Sequence, residues 1–400
     1  MNALPLAGIR VVDASVVVMG PYASQWLADL GAEVIKVEAP EGDSTRHTGP
    51  ALEPGMSAIF LGVNRSKRSV AIDLKTPGGQ QALATLIASA DVFMHSMRPQ
   101  KLAAVGLDPQ ALRARHPRLV YAGLHGFAQD GPYGGRPAYD DIIQGMSGSA
   151  ALMKAQGGVA RYLPTIAADK TSGLVAAMSI LAALVRRGQT GEGSFVEVPM
   201  FETMVAFNLV EHLYGQHFEP PRGTTGYPRV MSEWRRPYQT LDGHVCLMPY
   251  TDTHWRRFFE GAGRPDCAAD ERFASMAART RNIEALYELT GRIVAERPSA
   301  HWLALCDRLE IPAAPVNELA DLKDDPHLRA TGFFEEMPSA GGTLRFTGVP
   351  VRFDGRRPPV GLPPHLGEHT REALAEAGAT EDQIAAWLAS GAIRQEAPHD

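Results

Sequence analysis

Hydrophobic positions along the first forty residues change period twice. Ile9-Arg-Val-Val-Asp13 is a short β-branched run and predicts a buried strand. Gly20-Pro21 then breaks the chain, and a proline suits a first helical turn, where its missing N–H would be orphaned anyway. Between Tyr22 and Leu30 the side chains Ala23, Trp26, Leu27 and Leu30 share one helical face. Gly31 supplies a C-cap, and residues 32–38 form the next strand. This is a βαβ unit, so its strands are parallel and its crossover right-handed. The alternation continues with strand at 69–73, helix at 78–90, strand at 91–95, helix at 109–116 and strand at 119–124. A long helix over 170–187, a strand at 194–198 and a helix from Phe201 follow. The pattern predicts a doubly wound α/β fold around a parallel sheet.

Beyond that point the pattern weakens. Residues 219–238 are rich in Pro, Gly, Arg and Thr and read as a linker or active-site loop. Asp242-Gly243 centres a hairpin over 239–247, and helices follow at 253–262, 282–295 and 299–310. Residues 324–364 are Gly/Pro-rich with short strands, and a helical pair spans 368–389. The expected domains are a large α/β domain over 1–210, a linker over 211–238, and a smaller α/β domain over 239–322. Residues 323–400 return to the large domain.

Charge and composition narrow the chemistry. The chain of 400 residues carries 39 basic and 45 acidic side chains, a net charge of −6, which argues against nucleic-acid binding on bulk charge. The three cysteines, Cys246, Cys267 and Cys306, form no CxxC, so neither a zinc ribbon nor a disulfide framework is expected. The N-terminus lacks the basic-then-apolar pattern of a signal peptide. The longest apolar run, 172–185, is shorter than the ~18 residues of a membrane span. A soluble cytoplasmic protein is expected. His212 and His217 lie near Glu211, but five-residue spacing does not bring two imidazoles to one helix face, so no metal site is expected. Neither GxSxG nor a Cys–His signature is present.

The first βα turn invites a dinucleotide reading, yet it holds only Gly20 and no GxGxxG, which argues against NAD or FAD. Glu38 then reads as a surface residue at a strand end. The basic cluster Asn64-Arg-Ser-Lys67-Arg68-Ser has two readings, a phosphate site or a solvated loop, and spacing favours the loop. Asp169 stands directly before the long helix. Spacing favours an N-cap, and a second, compatible reading is a carboxylate kept ionised by the helix dipole, as a nucleophile must be.

Several stretches together resemble the class III CoA-transferases, the CaiB/BaiF family. They are Leu6-Ala-Gly-Ile-Arg-Val-Val-Asp13, Gly20-Pro-Tyr-Ala, residues 27–38, Gly42-Asp-Ser-Thr-Arg46, residues 64–75 and Arg98-Pro99. Gly126-Phe-Ala-Gln-Asp-Gly-Pro-Tyr133, Arg136-Pro-Ala-Tyr-Asp140, the run from Ala168-Asp169 to Gly193, Ile311–Asn317 and Leu366–Arg371 continue the match in order. The resemblance implies the class III CoA-transferase fold, an α/β large domain built from both chain ends plus a small domain, with two subunits interlocked as a homodimer. It implies transfer of CoA from an acyl-CoA to a free carboxylic acid, with acyl-CoA as substrate, no tightly bound cofactor and no ATP. Asp169 falls on the nucleophile position, where a mixed anhydride and then an aspartyl-CoA thioester form. The family's CoA contacts carry over to Val18, to Ile72, Asp73, Leu74 and Lys75, to Ser96, Met97 and Arg98, and to Tyr139 and Asp140. Family arginines are replaced by Ala39 and Ala104, which leaves Arg46, Arg68 or Arg98 to hold the nucleotide phosphates. Gly223 and Gly226 are placed in a loop that closes the site.

Two alternatives remain at this level. An α-methylacyl-CoA racemase of the same fold needs a His where Tyr139 stands, with His116 and His125 upstream and out of register. A non-catalytic CoA-binding homologue would keep Asp169 as a cap. Arg229, Arg235 and Arg236 lie in the variable loop, and Arg235 and Arg236 are the candidates to receive the second carboxylate of a donor such as succinyl-CoA. Solvent-facing arginines are the competing reading.

Overall fold

The computed structural model describes residues 4–395. The strands of the first half fall where alternation and β-branching put them, within a residue or two. They are β1 (Arg10–Ala14), β2 (Glu33–Glu38), β3 (Arg68–Ile72), β4 (Val92–His95), β5 (Val120–His125) and β6 (Phe195–Pro199). Among the described residues they join one sheet in the order β3-β2-β1-β4-β5-β6, every pair parallel. A two-residue strand near the C-terminus, Ile393–Arg394, adds to the outer edge of β3 in antiparallel sense. It is too short to show a period, and the sequence reading omits it.

The helices of this half are α1 (Met19–Asp29), α2 (Ala58–Asn64), α3 (Pro77–Ala88), α4 (Pro99–Leu102), α5 (Pro109–Arg115), α6 (Asp140–Met146), α7 (Ser149–Gly157), α8 (Ala167–Thr190) and α9 (Met200–His212). Both faces of the sheet are covered. On one face Val11, Val34, Val92 and Val120 pack with Leu27 of α1 and Ile180 of α8. On the other Val12, Ile35, Phe93 and Tyr121 pack with Leu83 of α3 and Trp387. A parallel sheet buried on both sides explains why its strands read as continuous apolar runs.

The apolar run 172–185 lies inside the 24-residue α8, which is long and apolar enough by composition to cross a membrane. Its inner face, however, is core. Ala168, Gly173, Ala176, Ala177 and Ile180 are buried, and a Cβ on Gly173 would come 2.7 Å from the Met19 carbonyl oxygen. This close approach sets the start of α8 beside the start of α1. The outward face carries Leu174, Met178 and Val185, all exposed.

The chain divides into two compact units. The first holds the described residues up to Ser147, then Pro164–Ala206 and those from Pro326 on, including an antiparallel hairpin of Phe334–Ser339 and Gly342–Thr347. The second holds Gly148–Leu163 and Phe207–Asp325. Residues 148–163, read from sequence as large-domain chain, and 211–238, read as a linker, therefore lie with the second unit. One tie is direct, since Gln156 Nε2 donates to the Arg235 carbonyl at 3.3 Å. Within this unit Tyr238–Gln239, His244–Leu247 and Ala313–Pro315 form an antiparallel sheet, with the Asp242-Gly243 turn where the sequence placed it. Phe258, Phe259, Tyr287 and Trp302 fill its core.

Candidate active site

The strand order reverses direction between β1 and β4. In an open α/β sheet the crevice for a ligand lies outside the carboxyl ends of the strands at such a point. Two pockets lie there. One, of about 310 Å³, is lined by Val16, Val18, Ser96, Arg98, Tyr139 and Asp169, with His125, Gln129, Arg136 and Met200 among the remaining walls. The other, of about 260 Å³, is lined by Ala14, Val37, Ala39, Ile72, Asp73, Leu74, Lys75 and Met97. Val16 and Ser96 belong to both walls, so the two form adjoining compartments of one groove. The first is flanked by polar side chains and holds the carboxylate; the second is mostly apolar, with Lys75 exposed at its rim.

Asp169 is the third residue of α8, not its cap. The cap position is Ile166, which offers no side-chain acceptor. Asp140, the first residue of α6, supplies it instead. Its Oδ1 accepts the N–H groups of Ala168 at 2.7 Å and Asp169 at 3.0 Å. Gln144 Nε2 donates to Oδ2 of Asp140 at 2.6 Å and to the Thr165 carbonyl at 3.2 Å. A carboxylate 29 residues upstream thus satisfies the helix N-terminus that Asp169 was expected to exploit. The consequence is electrostatic. Burial, reinforced by the negative charge of Asp140, pushes the Asp169 carboxyl up to about 7. Burial first, and the Asp140 charge second, thus oppose the ionisation that a helix N-terminus favours.

Asp140, among the CoA contacts that the resemblance implies, is buried and turned onto α8, and it lines neither pocket. Tyr139 beside it is 69% exposed and lines the Asp169 compartment.

A family profile described as CoA-transferase family III matches residues 6–370. The chain belongs to this family. It is 33% identical over 392 residues to a succinate–glutarate CoA-transferase of Agrobacterium fabrum, covering 93% of this chain and 95% of that protein. It is 32% identical over 399 residues to a succinyl-CoA:mesaconate CoA-transferase of Haloarcula hispanica, covering 93% and 96%. Among solved structures, a CaiB/BaiF family protein from Brucella suis superposes with a TM-score of 0.79 at 31% identity, covering 94% of this chain and all of that one. This protein is a CoA-transferase with a largely parallel α/β sheet.

In this CoA-transferase the charged residues that looked available for phosphate are mostly engaged elsewhere. Arg46 is buried and bidentate on Glu38 at 2.7 Å, with further bonds to the Pro364 carbonyl. Glu38, expected on the surface, is buried beneath it and held below its ordinary range. Burial alone would raise it, but Arg46, Lys36 and Ser69 outweigh that. Arg68 pairs with Glu33 and Glu376. The Asn64–Ser69 cluster is neither a phosphate site nor a solvated loop. Arg65 pairs with Asp29 at 2.7 Å, and Lys67 is fully buried, donating to the Pro21 carbonyl and Asn64 Oδ1 at 2.8 Å each. Burial pulls Lys67 down to about 7 against the opposing pull of Asp13. Of the three proposed phosphate cations, only Arg98 stands exposed in the groove wall.

On the second unit Arg235 and Arg236 are exposed, the latter over the Trp234 ring at 4.8 Å. Arg229 has an internal role, with Nε on the Tyr287 hydroxyl at 2.8 Å and its guanidinium over Tyr250.

The sequence reading missed His125, Gln129, Arg136 and Val17. His125 closes β5 one residue beyond the predicted strand, and burial holds it neutral, down to about 4. Its neighbour His95 is buried, accepts the Met97 N–H on Nδ1 at 3.1 Å, and leaves Nε2 without a partner. Only the position of both imidazoles at adjacent strand ends marked them in sequence.

Proposed function

We propose that this CoA-transferase moves coenzyme A from a dicarboxylyl-CoA, of which succinyl-CoA is the type, to a free carboxylic acid, with Asp169 as nucleophile. The observation that carries the reading is one part-buried carboxylate standing in a compartment that adjoins the switch-point groove. In this reading Ile72, Asp73, Leu74, Lys75 and Met97 receive the nucleotide end of CoA. Val18, Ser96, Arg98 and Tyr139 lead the pantetheine arm toward Asp169.

The chemistry follows from the nucleophile. An Asp169 oxygen attacks the thioester carbonyl, the C–S bond breaks, and CoA leaves as thiolate beside a mixed anhydride. The thiolate attacks the aspartyl carbonyl, releasing the first acid as carboxylate and leaving an aspartyl-CoA thioester. The acceptor carboxylate attacks that thioester, and the returning thiolate attacks the new acyl carbonyl, restoring Asp169. Each step exchanges one activated acyl bond for another, so no ATP is required.

The names of the relatives support the choice of donor, and the exposed Arg235 and Arg236 are the groups proposed to receive its distal carboxylate. Incubation with acetyl-, succinyl- and long-chain acyl-CoA, followed by hydroxylamine and peptide mass spectrometry, tests both points. A hydroxamate on Asp169 that appears most strongly with succinyl-CoA is expected, and its preference for succinyl-CoA should fade in Arg235→Ala/Arg236→Ala. No adduct from any donor returns the racemase and non-catalytic readings.

The protein is further proposed to act as a cytoplasmic, interlocked homodimer. The exposed apolar side chains Leu174, Met178 and Val185 along α8 support it, since a patch of this kind on a soluble chain marks an interaction surface. Light scattering during size-exclusion chromatography should report twice the 43.2 kDa chain mass, and Met178→Asp should shift it toward one.

A further inference from the structure

The turn joining β1 to α1 holds a residue that is costly to keep. Val17 has φ 71°, in the left-handed region, and among the described non-glycine residues with such φ it alone is β-branched. What holds it is specific. Both carboxylate oxygens of Asp43 lie on the Val17 N–H, at 3.1 and 3.3 Å. The Val16 N–H donates to Ser96 Oγ at 3.1 Å. Asp43 is itself fixed by Lys36 Nζ at 2.9 Å, the Thr45 N–H at 3.0 Å and the Thr45 hydroxyl at 2.8 Å. Lys36 reaches on to the Ser15 carbonyl at 3.1 Å. Both side chains of the pair are fully buried. One internal ion pair therefore grips the turn at both ends, Lys36 at Ser15 and Asp43 at Val17. Between and beside those grips stand Val16 and Val18, which line the groove together with Val17 itself.

We propose that Asp43 and Lys36 are positioning residues for CoA binding, a clamp that holds Val17 left-handed so that Val16 and Val18 stay in the wall of the groove. The inference rests on the reading of that groove as the CoA site. Neither residue touches the reacting atoms, so their effect falls on affinity for the thioester more than on its chemistry. A glycine adopts the left-handed backbone without the Cβ penalty, so Val17→Gly makes the clamp unnecessary.

Asp43→Ala leaves Lys36 buried without its partner and risks misfolding. Lys36→Met/Asp43→Leu removes both charges together and leaves the net charge of the interior unchanged. In whichever of these melts cooperatively, KM for the acyl-CoA donor should rise about tenfold with kcat changed less than about threefold, and adding Val17→Gly should bring KM back to within about threefold of wild type. A merely destabilised core would not be rescued by a glycine in the turn. Unchanged KM in a folded clamp variant, or a Val17→Gly that deepens the defect, overturns the proposal. Val18→Trp, which fills the groove, is the control. If it too leaves KM unchanged, the CoA reading of the groove fails and takes the clamp with it. If it raises KM while the clamp variants do not, the clamp alone is wrong.

Discussion

Asp169→Asn should lower CoA transfer by at least about a thousandfold while making the folded protein more stable at neutral pH. An amide cannot attack a thioester, so the loss belongs in kcat. The stability gain follows from the burial that raises the carboxyl. Its folded value is about 7 against an ordinary 3.8, so the folded state holds this proton more tightly than the unfolded chain does. That contribution is complete below the unfolded value, is lost as pH rises toward about 7, and is absent above it. The variant should therefore melt a few degrees higher than wild type at pH 8, with the gap closing as pH falls toward 4. Steady-state exchange assays and thermal melts at both pH values measure the two halves. Activity within tenfold of wild type would remove Asp169 as the nucleophile, whatever the melts show.

The second large effect is expected at Asp140, and its two substitutions should separate. Asp140→Ala leaves the Ala168 and Asp169 N–H groups without their acceptor at a buried helix start. The start of α8 then loosens, and since misplacing a reacting group by about 1 Å costs on the order of a hundredfold, kcat should fall by about that factor. Asp140→Asn keeps an oxygen for those donors and removes the charge. Transfer requires ionised Asp169, so kcat/KM of the wild type should decline as pH falls through about 7. In Asp140→Asn that acid limb should move to lower pH while remaining above the ordinary carboxylate range, because burial, the larger cause, persists. A pH profile of each variant reads this directly. An acid limb in Asp140→Asn that coincides with wild type would show that Asp140 does not set the charge state of Asp169.

Much of this architecture was legible in the sequence because it depends on local period. The run from β1 to β2 declares itself through Val11, Val12, Leu27, Val34 and Ile35, each buried where alternation or helical spacing puts it. What was not legible depends on partners distant in the chain. Asp169 looked like a cap because nothing nearby indicates that Asp140 fills that role across an intervening segment with its own helices. Arg68 looked free for phosphate because Glu376, one of the two carboxylates that engage it, lies about three hundred residues away, whereas Arg46 is held chiefly by Glu38, a neighbour in sequence that reads as a surface strand end. Helices α6 and α7 were missed because Gly145, Gly148 and Gly157 interrupt the period there. The groove's most unusual residue, Val17, was also hidden. A valine run reads as strand or core, and only the backbone reveals that one of the three valines is left-handed.

The edge strand Ile393–Arg394 has a consequence for how this protein is made. It is among the last described residues, and it covers β3, whose outer N–H and C=O groups would otherwise template pairing with another chain. The first unit gathers pieces from the start, middle and end of the sequence, whereas Phe207–Asp325 of the second is one uninterrupted stretch. On a ribosome, therefore, the smaller unit has all its residues while β3 still waits with a bare edge, and the described sheet is finished only when Ile393–Arg394 emerges. A nascent chain stalled before Ile393 is the form of this protein most exposed to aggregation, and synthesis of Ile393–Arg394 is the event that protects it.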